Sequence, residues 1–102
     1  MDGQLTLQDA LQAFVQAYLY SFSYGETRKN YYCGITDDLD RRAKEHNATF
    51  IKTMTADRFE SAQKLEQALH DAGFDTGKQV GNGEEDSVYI YMYKKIPGVT
   101  KE

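Results

Sequence analysis

The chain is expected to fold as an α+β domain, a small antiparallel β-sheet flanked by helices, and three observations predict it. Apolar residues recur at helical spacing in three stretches, around Leu7–Tyr18, Leu39–His46 and Phe59–Leu69. Short runs rich in aromatic residues lie between them, and the last, Ser87–Lys94, alternates cleanly. At 102 residues, with 40% hydrophobic and 27% charged, the chain has room for one modest core. Residues 1–102 are therefore read as a single domain.

The first helix spans about residues 6–17. Thr6-Leu7-Gln8-Asp9 forms a capping box with aspartate in the acidic position, and Leu7, Leu11, Phe14, Val15 and Tyr18 share one face. The aromatic run Tyr18-Leu19-Tyr20-Ser21-Phe22 favours a strand. Gly25 to Asn30 is polar and predicts a hairpin loop, returning in a second strand at about Tyr31–Thr36. Thr36 or Asp37 caps a helix over roughly Asp38–Asn47, with acidic residues in its first turn where the dipole favours them. Phe50–Thr55 reads as a third strand. A helix starting near Ser61 carries the stripe Phe59, Ala62, Leu65 and Leu69 and stops at Gly73. The Gly-rich acidic loop Gly81–Asp86 then leads to the strand at Ser87–Lys94, so a C-terminal extension of about 78–95 adds a further strand to the three-stranded sheet.

In that last strand Val88, Ile90 and Met92 point to the core, and Tyr89, Tyr91 and Tyr93 point the other way. The N-terminal helix is expected to cover the tyrosine row with Leu11, Phe14 and Val15. Left exposed, the row would instead stack unpaired bases or join two copies in a homodimer.

A net charge of −4 argues against coating nucleic acid through bulk electrostatics. A local basic patch is still available from Arg28, Lys29, Arg41, Arg42 and Lys44, diluted by Asp37, Asp38, Asp40 and Glu45. The single Cys33 forms no intramolecular disulfide, and no Cys/His spacing suits zinc. No apolar run reaches membrane-span length and no leader is evident, so a cytoplasmic setting without membrane association is expected.

Three charged or titratable side chains point inward where solvent-facing residues would be ordinary. At about 100° per residue, Leu39, Arg42, Ala43 and His46 share one sector of their helix, and Arg41 lies outside it. Taken singly, Arg42 is read as snorkelling and His46 as packing. Glu66 follows Ala62 by four and precedes Leu69 by three, so it projects from an apolar face. A carboxylate there needs a partner: Arg42 in a structural ion pair, or a divalent cation. Tyr20 and Tyr32, on adjacent predicted strands, are placed to face one another. Gly34, inside a strand, marks a close approach.

Tyr32-Cys33-Gly34, followed at ten residues by Arg42 and then by His46, resembles the second signature and helix of the GIY-YIG nuclease family. Tyr18-Leu19-Tyr20, with eleven residues before Tyr32, is similar to the first signature, although Tyr18 stands where glycine is usual. Ser61-Ala62-Gln63-Lys64-Leu65-Glu66 resembles the segment ending in the metal-binding glutamate. The likeness covers about residues 18–72 and is greatest to short stand-alone members. Asn82 is a candidate for the family's late asparagine, and the strand at Ser87–Lys94 has no clear place in the minimal family fold.

The resemblance implies a magnesium- or manganese-dependent DNA endonuclease. Tyr20 or Tyr32 would serve as general base or position water, Arg42 would neutralise transition-state charge, and Glu66 would hold the metal. His46 would orient water or phosphate, and Arg28, Lys29, Arg41 and Lys44 would meet the DNA backbone. The alternative is an inactive GIY-YIG-like module that binds a protein partner or nucleic acid.

Overall fold

The computed structural model describes residues 6–77 and 86–101. Its elements run α1 (Leu7–Ser21), a 3-10 turn (Arg28–Asn30), β1 (Tyr31–Thr36), α2 (Leu39–His46), β2 (Lys52–Thr55), α3 (Phe59–Asp71) and β3 (Tyr89–Lys94). The strands form one antiparallel sheet in the order β1-β3-β2, so the fold is α+β. No helix among the described residues is long and apolar enough to cross a membrane. Asn82 and the acidic loop up to residue 85 lie outside the described residues.

Two expectations about the sheet are corrected. Tyr18–Phe22 is not a strand: α1 continues through Ser21. The capping box at Thr6 starts this helix, and Ala10, Phe14 and Tyr18 are buried at intervals of four while Gln12 and Gln16 between them are exposed, which fits a helix and not a strand. Tyr18 sets its ring edge-on to Tyr31 and Phe74, at 5.1 and 5.7 Å between centres. That packing overrides the aromatic preference for strands. The expected hairpin before Tyr31 is therefore absent among the described residues, and Ser23–Asn30 is a connection stabilised by local side-chain bonds.

The second correction concerns the last strand. β3 is no appendage but the central strand, pairing Tyr32 with Tyr93, Cys33 with Met92 and Gly34 with Tyr91 on one side. On the other side it pairs with β2. The sheet thus has three strands among the described residues, with the C-terminal one occupying the place expected of the Tyr18–Phe22 segment.

Alternation then gives the sheet two unlike faces. Cys33, Ile35, Ile90 and Met92 join Phe14, Leu65, Leu69 and Phe74 in a core under α1 and α3. Fully burying one such side chain contributes about 1.5–3 kcal/mol. Tyr32, Gly34, Tyr91 and Tyr93 lie on the opposite face. The outer edge of β1 is not bare, because Asp75 accepts from the Cys33 N–H at 2.8 Å and donates to Tyr31 at 3.0 Å.

Candidate functional site

α2 is capped by Asp38, just beyond the expected caps Thr36 and Asp37, and the Asp38 carboxylate accepts the Arg41 N–H at 3.0 Å. It ends at Asn47, which turns left-handed at φ 50°. This short helix directs His46 onto the tyrosine face of the sheet. Among the described residues the imidazole makes three side-chain hydrogen bonds. Its Nε2 lies 2.9 Å from the Tyr91 hydroxyl, and its Nδ1 lies 3.1 Å from the Tyr93 hydroxyl and in short contact with the Lys101 carbonyl.

The rings beside His46 come from β1, from β3 and from the segment before β2. Tyr32 from β1 stacks on Tyr93 at 5.3 Å and lies 5.2 Å from His46, and Phe50 stacks on Tyr91 at 4.4 Å. So the tyrosine row of β3 is covered, but not by α1 as expected. His46, Tyr32, Phe50 and the residues around Lys101 cover it, because α1 and α3 occupy the other face. Tyr91 and Tyr93 are buried and Tyr89 is half-buried, so the row is not the exposed surface considered for dimerisation or base stacking.

Gly34 acquires a clear reason. A Cβ there would run into the Tyr91 hydroxyl, so glycine is what lets that ring lie across β1. Tyr91 is only 2% exposed, and burial holds its phenol far above the ordinary range. Tyr32, Tyr93 and Glu66 push it further up, while Arg42 pulls it down. Tyr91 thus hydrogen-bonds His46, stacks with Tyr32 and Tyr93 at 6.4 Å each, and feels the charges of Arg42 and Glu66.

Glu66 is 4% exposed on α3, as the helical spacing predicts. Burial pushes the Cys33 thiol well up, and the Glu66 and Asp75 carboxylates reinforce it. Arg42 does not pair with Glu66 in the bland arrangement considered from sequence. Its guanidinium reaches Glu45 at 3.2 Å through Nη1, while its buried Nε finds no hydrogen-bond partner among the described residues. A buried N–H left this way is costly, of order 1–3 kcal/mol, unless an acceptor arrives. Burial lowers the pKa of His46, the Lys101 carbonyl bond raises it, and nearby Arg42 lowers it again.

The remaining sequence-predicted residues divide. Tyr20 is 90% exposed near the end of α1, away from the tyrosine face. Its expected placement opposite Tyr32 is corrected: Tyr93 is the residue paired with Tyr32. Arg28 is half-buried and engaged within the fold. It lies over the Tyr18 and Phe74 rings at 5.9 and 5.5 Å and donates to the Ala72 carbonyl at 2.8 Å, closing the end of α3. Arg41 is exposed and paired with Asp37, whereas Lys29 and Lys44 are simply exposed.

Sequence reasoning missed Tyr91 and Tyr93 as members of this cluster. The available signal was Gly34: a glycine within a strand implies a large neighbour, and the tyrosine row of β3 was the nearest supply.

No group of three or more His, Cys, Asp or Glu side chains able to hold a metal occurs among the described residues. One carboxylate, Glu66, suits only a hard cation that keeps most of its water and takes further oxygens from a phosphate. Magnesium fits that description, and a site built from protein ligands alone does not. Comparisons with protein-family models, with curated proteins and with solved structures find no match.

Proposed function

We propose that this protein is a magnesium-dependent DNA endonuclease of GIY-YIG type, in which β3 supplies the tyrosine strand that the resemblance sought before Tyr32. The observation that carries this reading is the buried Nε of Arg42, which has no hydrogen-bond partner among the described residues and lies within electrostatic reach of Tyr91, as do Tyr32 and Glu66. An arginine whose inner edge lacks an acceptor is prepared for one, and a phosphodiester oxygen supplies it with the planar geometry a guanidinium prefers.

In this reading Arg42 binds the scissile phosphate and offsets charge that grows as the phosphorus is attacked. Tyr32, the half-exposed tyrosine of the cluster, positions the attacking water. Tyr91 and Tyr93 shape the floor and hold His46 in place. Glu66 would hold the magnesium, which supplies Lewis-acid polarisation of a phosphate oxygen. Lys29, Arg41 and Lys44 meet the flanking backbone. Arg28 and Tyr20 have no part in it.

The test is nicking and linearisation of supercoiled plasmid with magnesium or manganese, comparing the full chain with Glu66→Gln and Arg42→Lys. The first substitution keeps size and removes charge; the second keeps charge and removes the fork. Cleavage that both variants lose, with unchanged circular dichroism, supports the assignment. Equal cleavage by all three preparations would mean a contaminant.

The second reading is a module of the same shape that binds without cutting. The deep burial of Glu66 favours it, since a metal ligand has to be reached. Retarded migration of DNA with no cleavage in either metal would decide for it.

A further inference from the structure

The residues after β3 make contacts that neither reading requires. Ile96–Lys101 folds into a turn: the Val99 and Thr100 N–H groups donate to the Ile96 carbonyl at 2.9 and 3.0 Å, and the Ile96 N–H donates to Thr100 Oγ1 at 3.0 Å. The turn is tied to the end of α2 at two adjacent residues. Asn47 Nδ2 donates to the Val99 carbonyl at 2.9 Å, and the Lys101 N–H donates to the His46 carbonyl at 2.6 Å. The Lys101 carbonyl then turns back to His46 Nδ1. Lys101 thus uses both of its backbone polar groups on one histidine.

A carbonyl oxygen only accepts, and the Tyr93 hydroxyl, also beside Nδ1, donates its hydrogen to that same carbonyl at 3.4 Å, so Nδ1 carries a hydrogen. In a neutral imidazole Nε2 is then an acceptor, and its partner 2.9 Å away, the Tyr91 hydroxyl, must donate. A phenol has one hydrogen. Once it is spent on His46, the Tyr91 oxygen can only accept from any further partner; the Tyr32 ring stacks 6.4 Å away and the Arg42 charge is felt there.

We propose that the Ile96–Lys101 turn is a positioning strap: its last carbonyl fixes His46 as the Nδ1–H tautomer, and His46 thereby fixes the direction of the Tyr91 hydroxyl. The strap sets hydrogen-bond polarity in the site from outside it. Lys101 and His46 are positioning residues, because they act through Tyr91. The consequence for strand cleavage rests on the nuclease reading above, but the polarity of the chain does not.

The test is a long-range proton–nitrogen correlation of the imidazoles in the nitrogen-15-labelled full chain at a pH where His46 is neutral. The chain has 2 histidines, so the His70→Gln background leaves His46 as the only signal. A protonated Nδ1 with a pyridine-like Nε2 is expected, and an Nε2–H signature overturns the strap. Tyr91→Phe, which removes only the hydroxyl, should move the Nε2 resonance and leave Nδ1 protonated; an unmoved Nε2 overturns the link to Tyr91. Asn47→Gly keeps the left-handed backbone and cuts the tie to Val99, so loss of the single-tautomer signature is expected. Full retention would show that the turn does not set the tautomer. These resonances are read without DNA or metal, so failure to cleave plasmid would remove the nuclease reading and leave the strap standing.

Discussion

The two faces of this sheet are built from alternate residues of the same strands, yet they obey different physics. Toward α1 and α3, Cys33, Ile35, Ile90 and Met92 meet Phe14, Leu65 and Leu69, and little but apolar contact holds them. Toward α2, Tyr32, Tyr91 and Tyr93 meet His46 through directed hydrogen bonds and ring stacking. The first face stabilises by area and tolerates no voids. The second fixes orientation, and its net contribution to stability is small because water would satisfy the same groups in the unfolded chain. Damage to the apolar face should therefore unfold the protein, and damage to the polar face should mostly disorder the site.

The largest expected effect comes from the apolar face. Phe14 is fully buried at the meeting of α1 with the core, and Phe14→Ala should cost about 3–5 kcal/mol. Against a total of about 5–15 kcal/mol for a domain of ordinary stability, that removes much of the margin. Urea denaturation followed by circular dichroism measures it. A loss below about 1 kcal/mol would mean that the two faces are not so different.

Gly34→Ala comes next because Gly34 lies on the polar face of β1, paired with Tyr91. Its added methyl group points at the Tyr91 hydroxyl rather than into a void. Relief requires the ring or the strand to shift, and overpacking of this kind costs about 1–3 kcal/mol. The distinguishing readout is local: His46 and Tyr91 resonances should move far more than those of core methyl groups. An equal shift on both faces would contradict the separation.

Tyr93→Phe removes one hydroxyl from the polar face without touching the apolar one. The Lys101 carbonyl keeps its bond from His46, so the expected loss in the urea midpoint corresponds to about 0.5–1.5 kcal/mol. A larger loss would mean that the tyrosine face carries stability in its own right.

How much of this was legible beforehand follows the range of the interactions. The inward turn of Arg42, His46 and Glu66 was readable because helical periodicity is local, and α2 and α3 carry them as the spacing requires. The fate of Tyr18–Tyr20 was not: whether an aromatic run extends a helix or forms a strand depends on what Tyr18 packs against, and Tyr31 and Phe74 are distant in sequence. The pairing of β1 with β3 joins Gly34 to Tyr91 across most of the chain, and no local pattern encodes that register. Lys101 was beyond reach for a different reason. It acts on His46 through its backbone, which every residue possesses.

The smallest expected effect is a slope rather than a step. His46 is enclosed by Tyr32 from β1, Tyr91 and Tyr93 from β3, the Lys101 segment, and Arg42 and Glu45 on its own helix. Burial holds its pKa below that of a free histidine, with the Lys101 bond and Glu45 opposing and Arg42 reinforcing. The unfolded chain then binds a proton near about pH 6.5, and the folded chain binds one only lower down. Wherever the unfolded state holds more protons, stability rises with pH. The contribution of His46 is thus complete above the unfolded value, falls as pH drops through it, and levels off below the folded one. Glu26, Asp37 and Asp57 have depressed values, led by hydrogen bonds from Lys94, Arg41 and Ser61 respectively, so their contributions are lost only in the more acidic carboxylate range. The two windows separate, which makes the histidine term measurable on its own. Urea midpoints between about pH 5 and pH 8 should fall toward the acid end, and His46→Gln in the His70→Gln background should flatten that part of the curve. A slope that survives His46→Gln would place the titrating group elsewhere and leave the polar face without a role in the pH response.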